Sequence, residues 1–285
     1  MGWRSLSPQD LEVGYSPRLA VPDADAYIAR YEALSEVARG RIGGRLDQVH
    51  GNGALATFDQ HGADDGAARP ALIFIHGGYW RALDKRQFSF ALEPVVAAGG
   101  VGLNLNYDLC PAVTLDHVVA QVRGAVLHLW QNADALGIDR ARLHLAGHSA
   151  GAHLAAMCLN HDWAASGLPA QPFKGALLIS GIYDLEPVTH IAVNAEIGLD
   201  PAMARRNSPS GKPPAGRPDM LVAVGDAEPD PWIAQSSDYH AACRAAGIPA
   251  DYWRLANLNH FSAVLPLADP RHPLTVALKR MMTLG

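Results

Sequence analysis

The sequence predicts an α/β protein whose mostly parallel central sheet carries helices on both faces. Two observations point there. Short runs that are apolar along their whole length recur through the chain, and amphipathic or Ala-rich helical stretches separate them. A strand apolar on both sides is buried on both faces, the condition of a parallel sheet flanked by helices. A third observation, the glycines closing several of these runs, marks where strands end.

Taken in order, residues 1–50 read as a peripheral, cap-like segment. Within it, DADAYIARYEALSEVARGRI (23–42) has Ile28, Tyr31, Leu34, Val37 and Ala38 near helical spacing. DQHGADDGAARP (59–70) reads as a polar turn ahead of a core expected over 70–265. ALIFIHGG (71–78) is the first predicted strand and VGLNLNYDL (101–109) the second. A helix over about 115–136 opens near Thr114 and closes at Gly137. RLHLAG (142–147) is the third strand, followed by the Ala-rich helix AGAHLAAMCLNHDW (150–163). KGALLISG (174–181) and PDMLVAVG (218–225) are the fourth and fifth. A helix near 232–246 ends at Gly247 and leads to the sixth strand, PADYWRLA (249–256). PLTVALKRMMT (273–283) is a closing helix. No internal repeat interrupts this order, so all of 1–285 is expected to form one domain.

Composition narrows the function. The 285 residues are 49% hydrophobic and only 18% charged, with a net charge of −5, which excludes a disordered chain and argues against a nucleic-acid partner. No run of about 18 apolar residues is present, so no membrane span is expected. The start, MGWRSLSPQDLEVGY, lacks signal-peptide character, and Leu at position 6 breaks the myristoylation pattern. Three cysteines, Cys110, Cys158 and Cys243, have no paired spacing. Unpaired thiols in a reducing cytoplasm are the expectation.

GHSAG (147–151) matches G-x-S-x-G between a predicted strand and a predicted helix, the context of a nucleophile elbow in the α/β-hydrolase fold. Small residues at 147 and 151 allow the tight turn that exposes the Ser149 hydroxyl, and the Ala150 N–H opens a helix where an anion is stabilised. HGGYW (76–80) follows the first strand, and the amide of Gly78, with Gly77 as the other candidate, would complete an oxyanion hole with Ala150. A nucleophilic serine needs a base and an orienting acid, in the chain order Ser, acid, His. Among the downstream histidines His260 stands just past the sixth strand, in NLNHFS. His153, on the helix after the elbow, reads as partly buried and hydrogen-bonded. The acid should follow LVAVG, where Glu228, Asp226 and Asp230 are available; Glu228 is favoured and Asp226 second. No metal or cofactor is implied: HExxH is absent, and His144 and His148 lie on a strand and its turn.

Taken together, HGGYW, NYDLCP (106–111), GHSAGAHLAA (147–156), SGIYDLEPV (180–188), NAEIGLD (194–200) and NHF (259–261) resemble the α/β-hydrolase type of arylformamidase, also called kynurenine formamidase, over roughly 70–265. The resemblance implies an oxyanion hole at Gly77 and Gly78, and a triad of Ser149, Glu228 and His260. The stretch EPDPWIAQS is similar to the family's acid loop, whose acid precedes a Gln by seven residues; with Gln235 as that Gln, the acid is again Glu228. Animal members carry Asp there, so Glu is a departure, and Tyr79 departs from the HGGG of related lipases. The implied reaction is hydrolysis of a formyl group from an aryl amine, N-formylkynurenine above all. The rivals are a carboxylesterase or aryl-amide hydrolase with the same site, and a catalytically silent binding protein. Tyr79, Trp80 and Tyr183 are candidate aromatic walls, with core packing the other reading of Trp80 and Tyr183. Arg81, Lys85 and Arg205 are candidate contacts for the amino-acid end, each also readable as a surface charge. Bulky coverage by residues 1–50 and 185–215 would restrict the acyl pocket to formyl or acetyl. The partner is a small-molecule substrate, and family precedent allows a homodimer.

Overall fold

A computed structural model describes residues 3–62 and 65–284. At its centre lie eight strands: β1 (Arg45–Val49), β2 (Thr57–His61), β3 (Arg69–Ile75), β4 (Val101–Leu105), β5 (Ile138–His148), β6 (Gly175–Ile179), β7 (Asp219–Gly225) and β8 (Ala250–Leu255). Their order in the sheet is β1-β2-β4-β3-β5-β6-β7-β8. β3 to β8 pair in parallel, while β1 and β2 form an antiparallel edge on β4. The six expected strands are β3 to β8. This is the α/β-hydrolase fold.

The alternation of side chains along each strand divides the core in two. Ala71, Ile73 and Ile75 of β3 join one apolar cluster, together with residues of helices on that face. Leu72 and Phe74 join the other. The helices, in chain order, are α1 (Pro8–Tyr15), α2 (Pro17–Ala20), α3 (Ala24–Ile42), α4 (Glu93–Ala97), α5 (Leu115–Gln131), α6 (Ala150–Leu159), α7 (Asn194–Ile197), α8 (Pro201–Arg206), α9 (Asp230–Ala245) and α10 (Pro273–Met281). α5, α6 and α9 cover the first face through Val122, Leu154 and Trp232. α3, α4 and α10 cover the second through Tyr31, Val95 and Leu278. Thr114 caps α5 by accepting from the His117 N–H, as its position suggests.

Two strands went unpredicted. β1 falls in the segment read as peripheral, and β2 overlaps the segment read as a polar turn. β2 is TFDQH, and its polar side chains are buried because each has a partner inside. Asp59 accepts from the Lys85 ammonium at 2.6 Å and from the Asp47 N–H at 2.8 Å; Gln60 donates to the Leu136 carbonyl at 2.9 Å. Burial achieved by pairing rather than by apolarity leaves no hydrophobic periodicity to read.

Lys85 belongs to this edge and not to a substrate site. Its ammonium is buried and bridges Asp59 and Asp47, each at 2.6 Å. Lys85→Ala would strand Asp59 as a buried, unpaired charge, so urea unfolding should show a loss of about 3–5 kcal/mol. Combining Lys85→Met with Asp59→Leu should recover most of that loss, because an apolar pair carries no desolvation penalty.

Candidate active site

The turn between β5 and α6 places one serine at the C-terminal edge of the sheet. Ser149 has φ 57° and ψ −121°, a backbone conformation that side-chain-bearing residues rarely hold unless the surroundings impose it. The surroundings do so through close approach: a Cβ on Gly147 would collide with Gly151, and one on Gly151 with the Ile75 carbonyl. The Ser149 N–H continues the sheet by donating to the Ile179 carbonyl at 2.8 Å.

His260 arrives from the loop after β8. Its Nε2 lies 2.9 Å from Ser149 Oγ and its Nδ1 lies 2.7 Å from Glu228 Oε2. Glu228 is buried, and its second oxygen accepts from the Gly225 N–H at 2.8 Å and from the Ser180 hydroxyl at 2.5 Å. With the carboxylate accepting from Nδ1–H, Nε2 is left as the acceptor for the serine proton. Asp226 is exposed and caps the Asn257 N–H at 2.6 Å, while Asp230 is exposed at the start of α9. Only Glu228 among the three meets His260. Gln235, read in the sequence as a marker of the acid loop, accepts from the Tyr183 and Asp184 N–H groups at 2.6 and 2.7 Å. It ties α9 to the chain leaving β6.

The sequence reading gave three neighbours no role beside the relay. Ser180 supplies the hydroxyl on Glu228. Trp232 stands edge-on to the His260 ring, with centroids 4.7 Å apart, and donates from Nε1 to the Ser180 carbonyl at 2.7 Å. His148 donates from Nε2 to the His260 carbonyl at 2.8 Å, and burial holds its pKa down to about 3. Their sequence signal was position alone: Ser180 directly after β6, His148 directly before Ser149, and Trp232 at the start of α9 in the stretch similar to the family's acid loop.

The loop after β3 closes the other side. Gly77 lies against the elbow, where an added Cβ would stand 2.9 Å from the His148 carbonyl oxygen and 3.1 Å from Ser149 Cβ. Gly78 has φ 113° and borders the cavity over Ser149. Ala150 opens α6, where the first N–H groups have no intrahelical acceptor. Tyr79, also at positive φ, lines the cavity and donates its hydroxyl to the Tyr15 carbonyl at 2.7 Å.

Trp80 and Tyr183 correct the expectation of aromatic walls. Trp80 is fully buried and donates from Nε1 to His153 Nδ1 at 3.1 Å; Tyr183 stacks flat on Tyr239 with centroids 4.1 Å apart. Neither borders the cavity over Ser149. Arg205 is exposed and also lies outside it. His153, as read, is buried and bonded: its Nε2 donates to the Asn207 carbonyl at 2.7 Å, and burial lowers its pKa to about 4. Below the unfolded value of 6.5, unfolding releases this ring to take up a proton, so stability falls as the pH drops from 6.5 towards 4. His153→Gln should therefore flatten the decline of the urea midpoint between pH 6.5 and 4.5.

The cavity holds about 370 Å³, near the small end of ligand sites. Its roof comes from the N-terminal segment, through Glu12, Ser16 to Leu19, Ile28 and Tyr31, and from Ala192, Val193 and Glu196. The Tyr31 hydroxyl donates to the Phe261 carbonyl, which fastens α3 to the loop that carries His260.

Comparison with known proteins places this geometry in a family. A BD-FAE family model matches residues 61–165. The chain is 32% identical to the kynurenine formamidase of Danio rerio over 292 residues, 98% of each chain. It belongs to the kynurenine formamidase family. The kynurenine formamidase of Salmo salar is 33% identical over 293 residues, again 98% of both chains. A crystal structure from Silicibacter sp. TM1040, provisionally named a thioesterase, superposes with a TM-score of 0.81 at 29% identity, covering 93% of this chain and 97% of that one. As a member of the kynurenine formamidase family the chain is a hydrolase. Among the described residues no helix is long and apolar enough to cross a membrane.

Proposed function

We propose that the chain hydrolyses N-formylkynurenine to kynurenine and formate by a serine mechanism. The observation that carries this reading is the continuous relay from Glu228 through His260 to Ser149, set beneath a small roofed cavity. Likeness to the kynurenine formamidases over nearly the whole chain supports the substrate.

His260 Nε2 takes the Ser149 proton as Oγ bonds to the formyl carbon. Glu228 holds the imidazole tautomer and offsets the imidazolium charge. The carbonyl oxygen, now an oxyanion, is received by backbone N–H groups of Gly78 or Gly77 and of Ala150, one such donor being worth about 3 kcal/mol. The C–N bond then breaks, and His260 returns the proton to the departing aryl amine. Water, deprotonated by the same imidazole, attacks the formyl ester and frees Ser149 and formate. An anilide nitrogen leaves more readily than an alkyl amine, and a formyl group is small enough for the roofed site. All three cysteines are buried thiols without a disulfide, which supports a reducing compartment such as the cytoplasm.

The test is kcat/KM for N-formylkynurenine beside p-nitrophenyl acetate and butyrate. A value above about 10⁴ M⁻¹s⁻¹ for the formamide, exceeding both esters, is the expected result. Ester turnover without formamide cleavage would remove the formamidase assignment.

A further inference from the structure

The Gly77 N–H belongs to the peptide group whose carbonyl is that of His76, and the Gly78 N–H to the one whose carbonyl is that of Gly77. One buried side chain meets both carbonyls. Tyr107, two residues beyond β4, donates its hydroxyl to the His76 carbonyl at 2.9 Å and reaches the Gly77 carbonyl at 3.4 Å. A peptide group is planar and trans, so its N–H points opposite to its C=O. With both carbonyls drawn to Tyr107, both N–H groups face away from it. The cavity over Ser149 is bordered by Gly78 and not by Tyr107. Among the described residues, neither the Gly77 nor the Gly78 N–H meets a backbone acceptor.

Tyr107 is itself held. Its ring lies flat on the His76 ring, with centroids 4.3 Å apart and 9° between the planes, and both residues are fully buried. His76 Nδ1 stands 2.7 Å from the Gly77 carbonyl oxygen, on the same peptide. Burial pushes the Tyr107 pKa up, so its hydroxyl remains a donor at any working pH. Gly77 and Gly78 carry no side chains that could fix these peptides, and glycine is the residue whose backbone turns most freely. An oxyanion donor is effective because it is aimed before charge develops, so a freely turning peptide forfeits part of its worth.

We propose that Tyr107 is a positioning residue for the oxyanion hole. Its hydroxyl pins the His76–Gly77 and Gly77–Gly78 peptides, so that their N–H ends are aimed at the developing oxyanion before substrate arrives. It touches neither substrate nor Ser149. This deepens the serine mechanism proposed above and rests on it, since acyl transfer is what forms that oxyanion.

Tyr107→Phe removes the hydroxyl and keeps the ring on His76. All assays are run well below the melting points of both proteins. With p-nitrophenyl acetate, kcat/KM should fall at least about tenfold, against about 10²–10³ for deleting a donor outright. The second readout is inhibition by trifluoroacetophenone, whose carbonyl adds a serine hydroxyl to give a tetrahedral oxyanion, beside acetophenone, which binds without adding. Tyr107→Phe should weaken the fluorinated ketone by the factor lost in kcat/KM and leave acetophenone unchanged, because only the adduct resembles the transition state. A general loosening of the site would weaken both ketones alike. That result, an unchanged kcat/KM, or a lower kcat/KM beside unchanged inhibition by the fluorinated ketone overturns the inference, as does equal inhibition of wild type by the two ketones. Ser149→Ala is assayed in parallel. Ester turnover by that variant would sink the serine mechanism, whereas its loss beside an unaffected Tyr107→Phe would sink the role of Tyr107 alone.

Discussion

Ser149→Ala should remove turnover of every acyl substrate, with kcat falling by as much as about 10⁶-fold, and leave the fold as it is. The two halves of that expectation have separate causes. Ser149 Oγ meets the acceptor nitrogen of His260 at 2.9 Å, and no other hydroxyl is bonded to that nitrogen. Losing it removes the atom proposed to become acylated. The fold is expected to hold because the elbow is imposed by the contacts around Gly147 and Gly151 and by the Ser149 backbone, whose N–H and carbonyl are both bonded. Alanine keeps all of these. Steady-state kinetics and a thermal melt of the purified variant give both readouts. Retention of more than a tenth of the activity would falsify the nucleophile assignment.

Glu228→Gln should reduce kcat by about 10⁴-fold, through the tautomer of His260. Every group facing this carboxylate is a donor: His260 Nδ1–H on one oxygen, the Gly225 N–H and the Ser180 hydroxyl on the other. A carboxylate can accept from all three, whereas an amide must turn its own NH₂ towards one side. Turned towards His260, it moves the ring proton to Nε2, and the imidazole can no longer accept from Ser149. Turned towards Gly225, it leaves two N–H groups opposed in a buried site, at a stability cost of about 1–3 kcal/mol. Asp226→Asn is the control. Asp226 caps a loop N–H at the surface and touches neither His260 nor Ser149, so its kcat/KM should stay within about twofold of wild type. Comparable losses in the two variants would mean that the acid has been misassigned.

The contrast between these two carboxylates shows where sequence reading reaches and where it stops. Both follow β7 within three residues of Gly225, and nothing local separates them. The choice depends on the loop folding back so that Ser180 and His260 meet Glu228, two contacts that lie outside any short sequence window. Family likeness, through the spacing to Gln235, pointed to the same residue, and Gln235 proves to clamp the chain beyond β6. The elbow was legible because its requirements are local: small residues on either side of one serine, between an apolar strand and a helix. β3 to β8 were legible because all-apolar runs admit few other placements. β2 was not, since its Asp59 and Gln60 are buried by partners far along the chain. Trp80 and Tyr79 are adjacent, alike in composition and both at positive φ, yet one bonds to His153 in the core and the other lines the cavity. Which aromatic faces the substrate is decided by the loop's path and not by residue type.

The roof has a consequence for how such enzymes diversify. The atoms proposed to react come from residues 77 to 260, whereas Glu12 to Tyr31, which bound the space above Ser149, precede the first strand. The stretch shared with the BD-FAE family, residues 61–165, contains Gly78 and Ser149 and begins after that segment. The groups that bound the space above Ser149 and the nucleophile below it therefore lie on different stretches of one chain. Trimming Leu19 or Ile28, apolar side chains on that roof, is expected to widen the space for the acyl group while the tie from Tyr31 to the loop of His260 keeps the relay in place.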